Sequence, residues 1–282
     1  MEVETAPRVY QIAVGANRVL KQNARMGRRE CRWMWLIALI GLMTARSSLA
    51  TPSLDPVPPV LQSNYDVAHG NYLAHPDDDR AAWELGRACF DRAEFARSSA
   101  ERARLANEGG AACRKVVAHQ PNLAVGHYYL ALNLAQLART KFLAALPIVN
   151  QMSSEWKIAQ ALDQTLDFGG PDRYGGLLYR DAPGWPISVG DNAKARKHLL
   201  RAVEIRPDFP ENLLNLIETY LMWNEVPAAA KATDELLKIW PKAQKEFTGD
   251  YWAPSWKDWN QRLQAIQSKL QNPSSGLPAT KP

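Results

Sequence analysis

The chain has 282 residues, 46% of them apolar, and a formal net charge of +5. A chain of this length could form one large or two small domains, and its apolar content is ample for a buried core. The basic excess lies in residues 1–50, with eight Lys and Arg against three Asp and Glu, and the remaining chain has 26 of each kind. Because nucleic-acid binding requires a concentrated basic field, we expect no nucleic-acid partner.

Residues 26–50 have the pattern of an export signal. A cluster of arginines precedes an apolar run at residues 33–43, and Ser48-Leu49-Ala50 then supplies small residues for a peptidase. The run is shorter than the about 20 residues that cross a bilayer. We therefore predict cleavage near Ala50, a periplasmic or secreted protein and no stable membrane span. The alternative is an uncleaved amphipathic anchor.

Residues 1–25 do not fit this scheme, because a signal normally starts close to its charged region and Met26 directly precedes that region. We expect residues 1–25 to be a mis-assigned start or a disordered extension. Cys31 precedes the apolar run, so it is not placed to carry a lipid.

Two further cysteines follow the signal, Cys89 and Cys113. Cysteines on neighbouring helices of one hairpin are expected to pair in an oxidising compartment, so we predict a disulfide bond between them. Two buried free thiols are the alternative.

A helical repeat is indicated by the spacing of prolines. Three prolines each stand nine residues before a leucine, and a fourth, Pro241, follows the third by 34 residues, which is the period of tetratricopeptide repeats. Apolar residues between them recur at helical spacing. The sequence predicts an all-α, tetratricopeptide-like α-solenoid of helix hairpins. The three proline–leucine pairs are Pro76–Leu85, Pro121–Leu130 and Pro207–Leu216.

The predicted elements follow in chain order. Residues 51–60 form a proline-rich linker, residues 61–271 form the helical-repeat domain, and residues 272–282 form a disordered tail. Ser98 or Ser99 is expected to cap one helix and Pro227 to start another. Helices are expected at about 61–74, 77–95, 99–119, 122–138, 153–167, 191–206, 213–220 and 227–240, with a capping helix from about 252 to 270.

Residues 168–186 depart from this regularity, because glycine pairs and prolines impose turns there. The segment offers flat aromatic surface and charge, and loops of this kind on a rigid scaffold are frequent binding sites. We predict that it binds a partner. The alternative is a tight connector whose aromatic residues fill a gap in the solenoid. The candidate binding residues are Arg173, Tyr174, Tyr179, Asp181 and Trp185.

Two further candidates, Tyr128 and Arg139, are predicted to lie on a helical hairpin. On an inner concave face they would suit an anionic ligand. The alternative places Tyr128 in the core and Arg139 at a favourable helix C-terminus.

No catalytic or metal-binding motif with usable spacing is present. The histidines occur singly along the helices, so we interpret them as surface or core residues and predict no metal and no cofactor. A remote alternative is a helical enzyme that uses Asp163, Arg173 and Asp181. The five histidines are His69, His75, His119, His127 and His198.

One stretch carries a family resemblance: Asp172-Arg173 through Tyr179-Arg180-Asp181-Ala182-Pro183, then Gly190-Asp191, Ala195, Ala202 and Pro207. With these residues the chain resembles the T-component family of TRAP transporters, over about residues 60–270. The resemblance implies an exported helical solenoid that self-associates as a homo-oligomer and docks a periplasmic solute-binding protein, with an organic or hydrophobic ligand passed between them. It implies no catalytic residue. The chain departs from the family in having no lipid-attachment cysteine after the apolar run.

The sequence therefore predicts a non-enzymatic periplasmic adaptor that binds a protein partner, in the first instance a solute-binding protein of a TRAP-type uptake system. The second hypothesis is a general helical-repeat scaffold for envelope assembly, which binds peptide segments in its groove.

Overall fold

The computed structural model describes residues 56–141 and 145–271, and all of their regular structure is helical. The predictions for residues 1–55 and 272–282 lie outside the described residues. None of the described helices has the length and apolar character needed to cross a membrane. The helices are α1 (Pro59–Ala74), α2 (Asp79–Glu94), α3 (Ser99–His119), α4 (Ala124–Ala138), α5 (Ala145–Leu162), α6 (Leu166–Asp181), α7 (Asn192–Ile205), α8 (Pro210–Met222), α9 (Val226–Glu246) and α10 (Ala253–Gln271).

The helices pack as successive hairpins, which confirms the predicted all-α solenoid. The pairs α2–α3, α4–α5, α6–α7 and α8–α9 each form extensive contacts. The first helices of successive hairpins, α2, α4, α6 and α8, also contact one another in turn. Helix α1 packs on α2, and α10 packs on α8 with Trp259 and Ile266 buried, which is the predicted capping helix.

Local sequence explains where several helices begin. The Ser98 side chain accepts a hydrogen bond from the Glu101 N–H at 3.0 Å, as predicted, and Asp78 caps α2 in the same manner. Pro227 occupies the first turn of α9, where no N–H donor is required. Pro241 differs from the prediction, because α9 continues through it to Glu246. It is exposed, so water can reach the carbonyl that loses its partner.

The inner layer closes on itself around α4. Phe90 of α2 and Tyr174 of α6 meet with ring centroids 6.3 Å apart, although their helices flank α4 on opposite sides. Residues 125–136 of α4 are all buried, because α2, α3, α5 and α6 pack around this helix. Further along, the Arg87 guanidinium lies 5.6 Å from the Tyr251 ring centroid, so the segment before α10 reaches back to α2. The inner face at α4 is therefore core, and no open groove lies there.

The predicted disulfide bond is absent from the structure. Cys89 and Cys113 are free, buried thiols, which is the alternative that the sequence left open. Each cysteine packs against a glycine of the other helix: a Cβ on Gly86 would lie 2.2 Å from Cys113 Sγ, and one on Gly109 would lie 2.6 Å from Cys89 Cβ. The two cysteines are thus offset by about one turn along the α2–α3 pair. Burial raises the pKa of both thiols, which keeps them protonated.

This close approach predicts the effect of adding one methyl group. Gly86→Ala should lower the free energy of unfolding by about 2–3 kcal/mol, because the new Cβ overlaps Cys113 Sγ and also lies near the Gly109 carbonyl. Gly70→Ala in α1 is the matched control, since nothing lies within 4 Å of its Cβ position and alanine favours a helix. Urea denaturation followed by circular dichroism measures the free energy of unfolding of both variants. Equal midpoints for the two variants would contradict the packing described.

The segment predicted to be irregular, residues 168–186, is mostly helix. Helix α6 runs through it to Asp181, and only residues 182–191 form a connecting loop. A kink at residues 167–169, where φ is positive, starts the helix, and Pro171 follows in its first regular turn. A Cβ on Gly176 would lie 2.7 Å from Leu199 Cγ of α7. Gly176 therefore allows close helix packing instead of making a turn.

Candidate functional site

Most of the predicted binding residues are buried and hold helices together. Tyr128 of α4 is fully buried and donates its hydroxyl hydrogen bond to Asp167 Oδ2. Arg173 is also fully buried; its Nη2 donates to Asp167 Oδ2 at 2.8 Å and its Nη1 to Asn212 Oδ1 at 3.0 Å. Tyr174 is 2% exposed and packs against Phe90. These three candidates connect α4, α6 and α8 and offer no surface to a ligand.

Two other candidates also have structural partners. Asp181 is buried and pairs with the neighbouring Arg180, which donates at 2.8 and 3.0 Å to its two carboxylate oxygens. Arg139 Nη1 lies 3.0 Å from Glu94 Oε2, and this pair joins the end of α4 to the end of α2. The predicted anion site at Tyr128 and Arg139 is therefore not formed.

The residues named for a helical enzyme are not brought together. Asp163 accepts from the Thr165 N–H at 2.8 Å in the α5–α6 turn. Arg173 is bound to Asp167 and Asn212, and Asp181 lies eight residues further along α6, about 12 Å along the axis. Among the described residues there is also no cluster of His, Cys, Asp and Glu suited to a metal ion.

Trp185 is the predicted residue that the structure places on the surface. Its side chain is 89% exposed, and the nearby Ile187 is 57% exposed. The loop that presents them is held by backbone hydrogen bonds from Gly190 N to Pro183 O and from Asp191 N to Tyr179 O, both 2.8 Å. An apolar pair is thereby displayed on a fixed support.

Local sequence explains the shape of this loop. A Cβ on Gly190 would lie 2.1 Å from the Ala182 carbonyl oxygen, so only glycine permits this crossing of the two loop ends. Asp191 then accepts hydrogen bonds from the Ala193 and Lys194 N–H groups at 3.0 Å and starts α7. The loop conformation is therefore determined independently of Trp185.

A second surface feature, not predicted from the sequence, is a groove between α5 and α7. Asp172 of α6 lies at its floor, 1% exposed, and accepts from Gln160 Nε2 at 2.7 Å. His198 Nδ1 lies 2.8 Å from Asp172 Oδ1, and the His198 ring stacks on Tyr179 at 5.4 Å between centroids. Tyr179 thus supports a histidine that the sequence alone had placed among isolated surface or core residues.

The rim of this groove is basic. Its exposed cationic side chains lie on opposite walls, Lys157 on α5 and Lys197 and Arg201 on α7. Lys197 and Arg201 are four residues apart and so share a face of α7, which was the available sequence signal. Their proximity to Lys157 depends on the packing of α5 and α7 against α6.

The arrangement of the hairpins now decides the fold. It is a TPR-like helical repeat. In the comparison of structures, the chain is similar to the crystal structure of a thermophilic TPR protein from Thermus thermophilus, with a TM-score of 0.52 and 20% sequence identity over 74% of this chain and 91% of that one. No family model and no curated protein matches the chain. At this identity the similarity establishes the TPR-like fold alone.

Proposed function

We propose that this TPR-like chain is a non-enzymatic, exported adaptor that docks a folded protein through loop 182–191. The single observation that carries the proposal is Trp185, 89% exposed on a loop fixed by its own backbone hydrogen bonds. Tryptophan is over-represented among the residues that dominate binding energy at interfaces. A rigid support reduces the entropy lost on association.

The closed inner face favours this loop over a peptide groove. TPR-like solenoids commonly bind partners on an extended concave surface. Here that surface is core at α4, because Phe90 and Tyr174 meet across it. A scaffold that binds extended peptides along the inner layer is therefore the weaker candidate, and a folded partner on the outer loop is favoured.

The proposed partner is a periplasmic solute-binding protein of a TRAP-type uptake system. Support for export comes from the charged and apolar segment at residues 26–50, and support for the partner comes from the resemblance to T-components between Asp172 and Pro207. The most direct test of this partner is the genomic neighbourhood. Genes for a solute-binding protein and its membrane permease should lie beside the gene for this chain.

Trp185→Ala should weaken binding of that solute-binding protein by at least about thirtyfold, which corresponds to the about 2 kcal/mol that defines an interface hot spot. The helical circular dichroism spectrum should not change, because Trp185 makes little contact with the core. Biolayer interferometry with the two purified proteins measures the affinity. Leu237→Ala is the matched control, since Leu237 is an exposed apolar residue on α9. Equal affinity of wild type and Trp185→Ala would rule out docking through the loop.

A further inference from the structure

The outer groove between α5 and α7 has the form of a small binding site. Helix α6 contacts both helices and provides the floor, and the groove encloses about 490 Å³. That space accommodates a small organic molecule but not a folded domain. The groove is lined by Lys157, Gln160, Ala161, Gln164, Asp172, Lys197, His198, Arg201 and Glu204.

The histidine at the floor is held in one orientation. Since the Asp172 carboxylate only accepts hydrogen bonds, His198 Nδ1 carries the hydrogen in their 2.8 Å contact. Tyr179 covers one face of the ring at an interplanar angle of 16°. Nε2, on the opposite edge, has no hydrogen-bond partner among the described residues, and the side chain is 19% exposed. His198 therefore presents Nε2 to a ligand.

The charges around the histidine favour an anion. The two lining carboxylates are already engaged, Asp172 with His198 and Glu204 with Arg201 at 3.1 Å. Lys157 and Lys197 form no ion pair within the described parts of the chain. The opposing walls thus leave two uncompensated ammonium groups over a concave floor, which concentrates positive potential within the groove.

We propose that this groove binds a small organic anion through a carboxylate or phosphate group. The anionic oxygens contact the ammonium groups of Lys157 and Lys197 on the opposing walls, and His198 Nε2 at the floor is available to a polar group of the same ligand. An ordinary convex basic surface has neither the concave shape nor the oriented ring. The site lies on side chains separate from the Trp185 loop, so it is independent of the proposed docking of a protein.

Isothermal titration calorimetry with the whole protein tests the proposal. The probes are sulfate, citrate and glycerol 3-phosphate, titrated separately at low ionic strength. Citrate or glycerol 3-phosphate should bind more tightly than sulfate, and which of them binds better identifies the carboxylate or the phosphate as the preferred group. The double variant Lys157→Ala/Lys197→Ala should bind at least about tenfold more weakly, because both wall charges are lost.

Two further variants separate a charge effect from a loss of structure. Glu204→Gln should tighten binding by about two- to threefold, because it removes a negative charge from the rim. Lys231→Ala, on exposed α9 and outside the groove, should leave the affinity unchanged.

Three results would overturn the proposal. One is that neither citrate nor glycerol 3-phosphate binds at concentrations up to about 10 mM. Another is equal affinity of the double lysine variant and the wild type. The third is sulfate binding as tightly as both organic probes, which would indicate an adventitious ion only. Trp185→Ala should retain anion binding, so failure of the protein-docking proposal would be distinguishable from failure of this one.

Discussion

Arg173→Met is expected to lower the free energy of unfolding by about 3–5 kcal/mol, which is the cost of removing one partner from a buried ion pair. The guanidinium is fully buried and donates to the Asp167 carboxylate and to the Asn212 side-chain oxygen. It also contacts the rings of Tyr174 and Phe209 at about 5 Å. Methionine preserves much of the volume but leaves the Asp167 carboxylate buried without its cation.

Urea denaturation at pH 7 measures this loss. Arg80→Met is the control, because Arg80 is an exposed residue of α2 that pairs with Glu84 one turn away, and its midpoint should hardly move. The comparison also distinguishes a structural role of Arg173 from a role in binding a partner. A variant as stable as wild type that no longer bound its partner would restore the binding role that the sequence suggested.

The repeat architecture was predictable because it depends on local signals. Pro76, Pro121 and Pro207 stop helices through missing N–H groups, and the leucine nine residues after each one is buried in the next helix. Helix caps such as Ser98 follow from the chemistry of neighbouring residues in the chain. The C-terminal helix was recognised from an apolar stripe at helical spacing, and Trp259, Leu263 and Ile266 of that stripe are buried.

The prediction that residues 168–186 are irregular was wrong because glycine occurs both in turns and where two helices pack closely. Gly175 and Gly176 lower helix propensity, so they were interpreted as turn residues. In the structure Gly176 permits Leu199 of α7 to approach α6, because a Cβ at residue 176 would lie 2.7 Å from Leu199 Cγ. Propensity is a local quantity, and the packing energy that overrides it depends on helices that are distant in the sequence.

The candidate sites were less predictable for the same reason. Exposure of Trp185 and burial of Tyr174 cannot be distinguished by composition, because both are aromatic residues in a glycine-rich segment. The groove required three helices to place Lys157, Asp172 and His198 together, and no short motif contains them. Solenoids build such surfaces from neighbouring repeats, so the information is in the tertiary contacts.

The closure of the inner layer links these errors. Once Phe90 and Tyr174 meet, every candidate on the inner side of α4 and α6 becomes core. The two candidate binding surfaces lie elsewhere, at loop 182–191 and in the groove between α5 and α7. Tyr128 and Tyr174, which the sequence suggested as binding residues, instead lie in the core.

Glu211 should make the stability of the protein fall as the pH rises from about 4.5 to about 7. Burial raises the pKa of its carboxyl from 4.5 to about 7. Two arginines lie nearby, but Arg173 is bound to Asp167, and Arg262 is bound to Glu218 at 2.8 Å and to Asp258 at 3.3 Å. Their attraction therefore does not offset the loss of hydration, and Glu211 Oε2 makes no hydrogen bond among the described residues.

The sign follows from proton binding. Between pH 4.5 and 7 the folded chain holds a proton on Glu211 that the unfolded chain has released, so raising the pH favours unfolding. A shift of the Glu211 pKa from 4.5 to about 7 corresponds to a decrease of about 3 kcal/mol in the free energy of unfolding. This decrease is complete above pH 7 and absent below pH 4.5. Glu211→Gln keeps the shape of the neutral acid and removes the ionisation.

Glu211→Gln should accordingly raise the free energy of unfolding at pH 8 by up to about 3 kcal/mol and leave it nearly unchanged at pH 4.5. Urea denaturation of both proteins at several pH values between 4.5 and 8 gives the difference curve, which should increase with pH and level off above 7. Glu235→Gln, on the exposed face of α9, is the control for the loss of a surface carboxylate. A Glu211→Gln protein that is less stable at pH 8 would mean that the ionised carboxylate stabilises the fold through Arg173 and Arg262, and the desolvation argument would then be wrong.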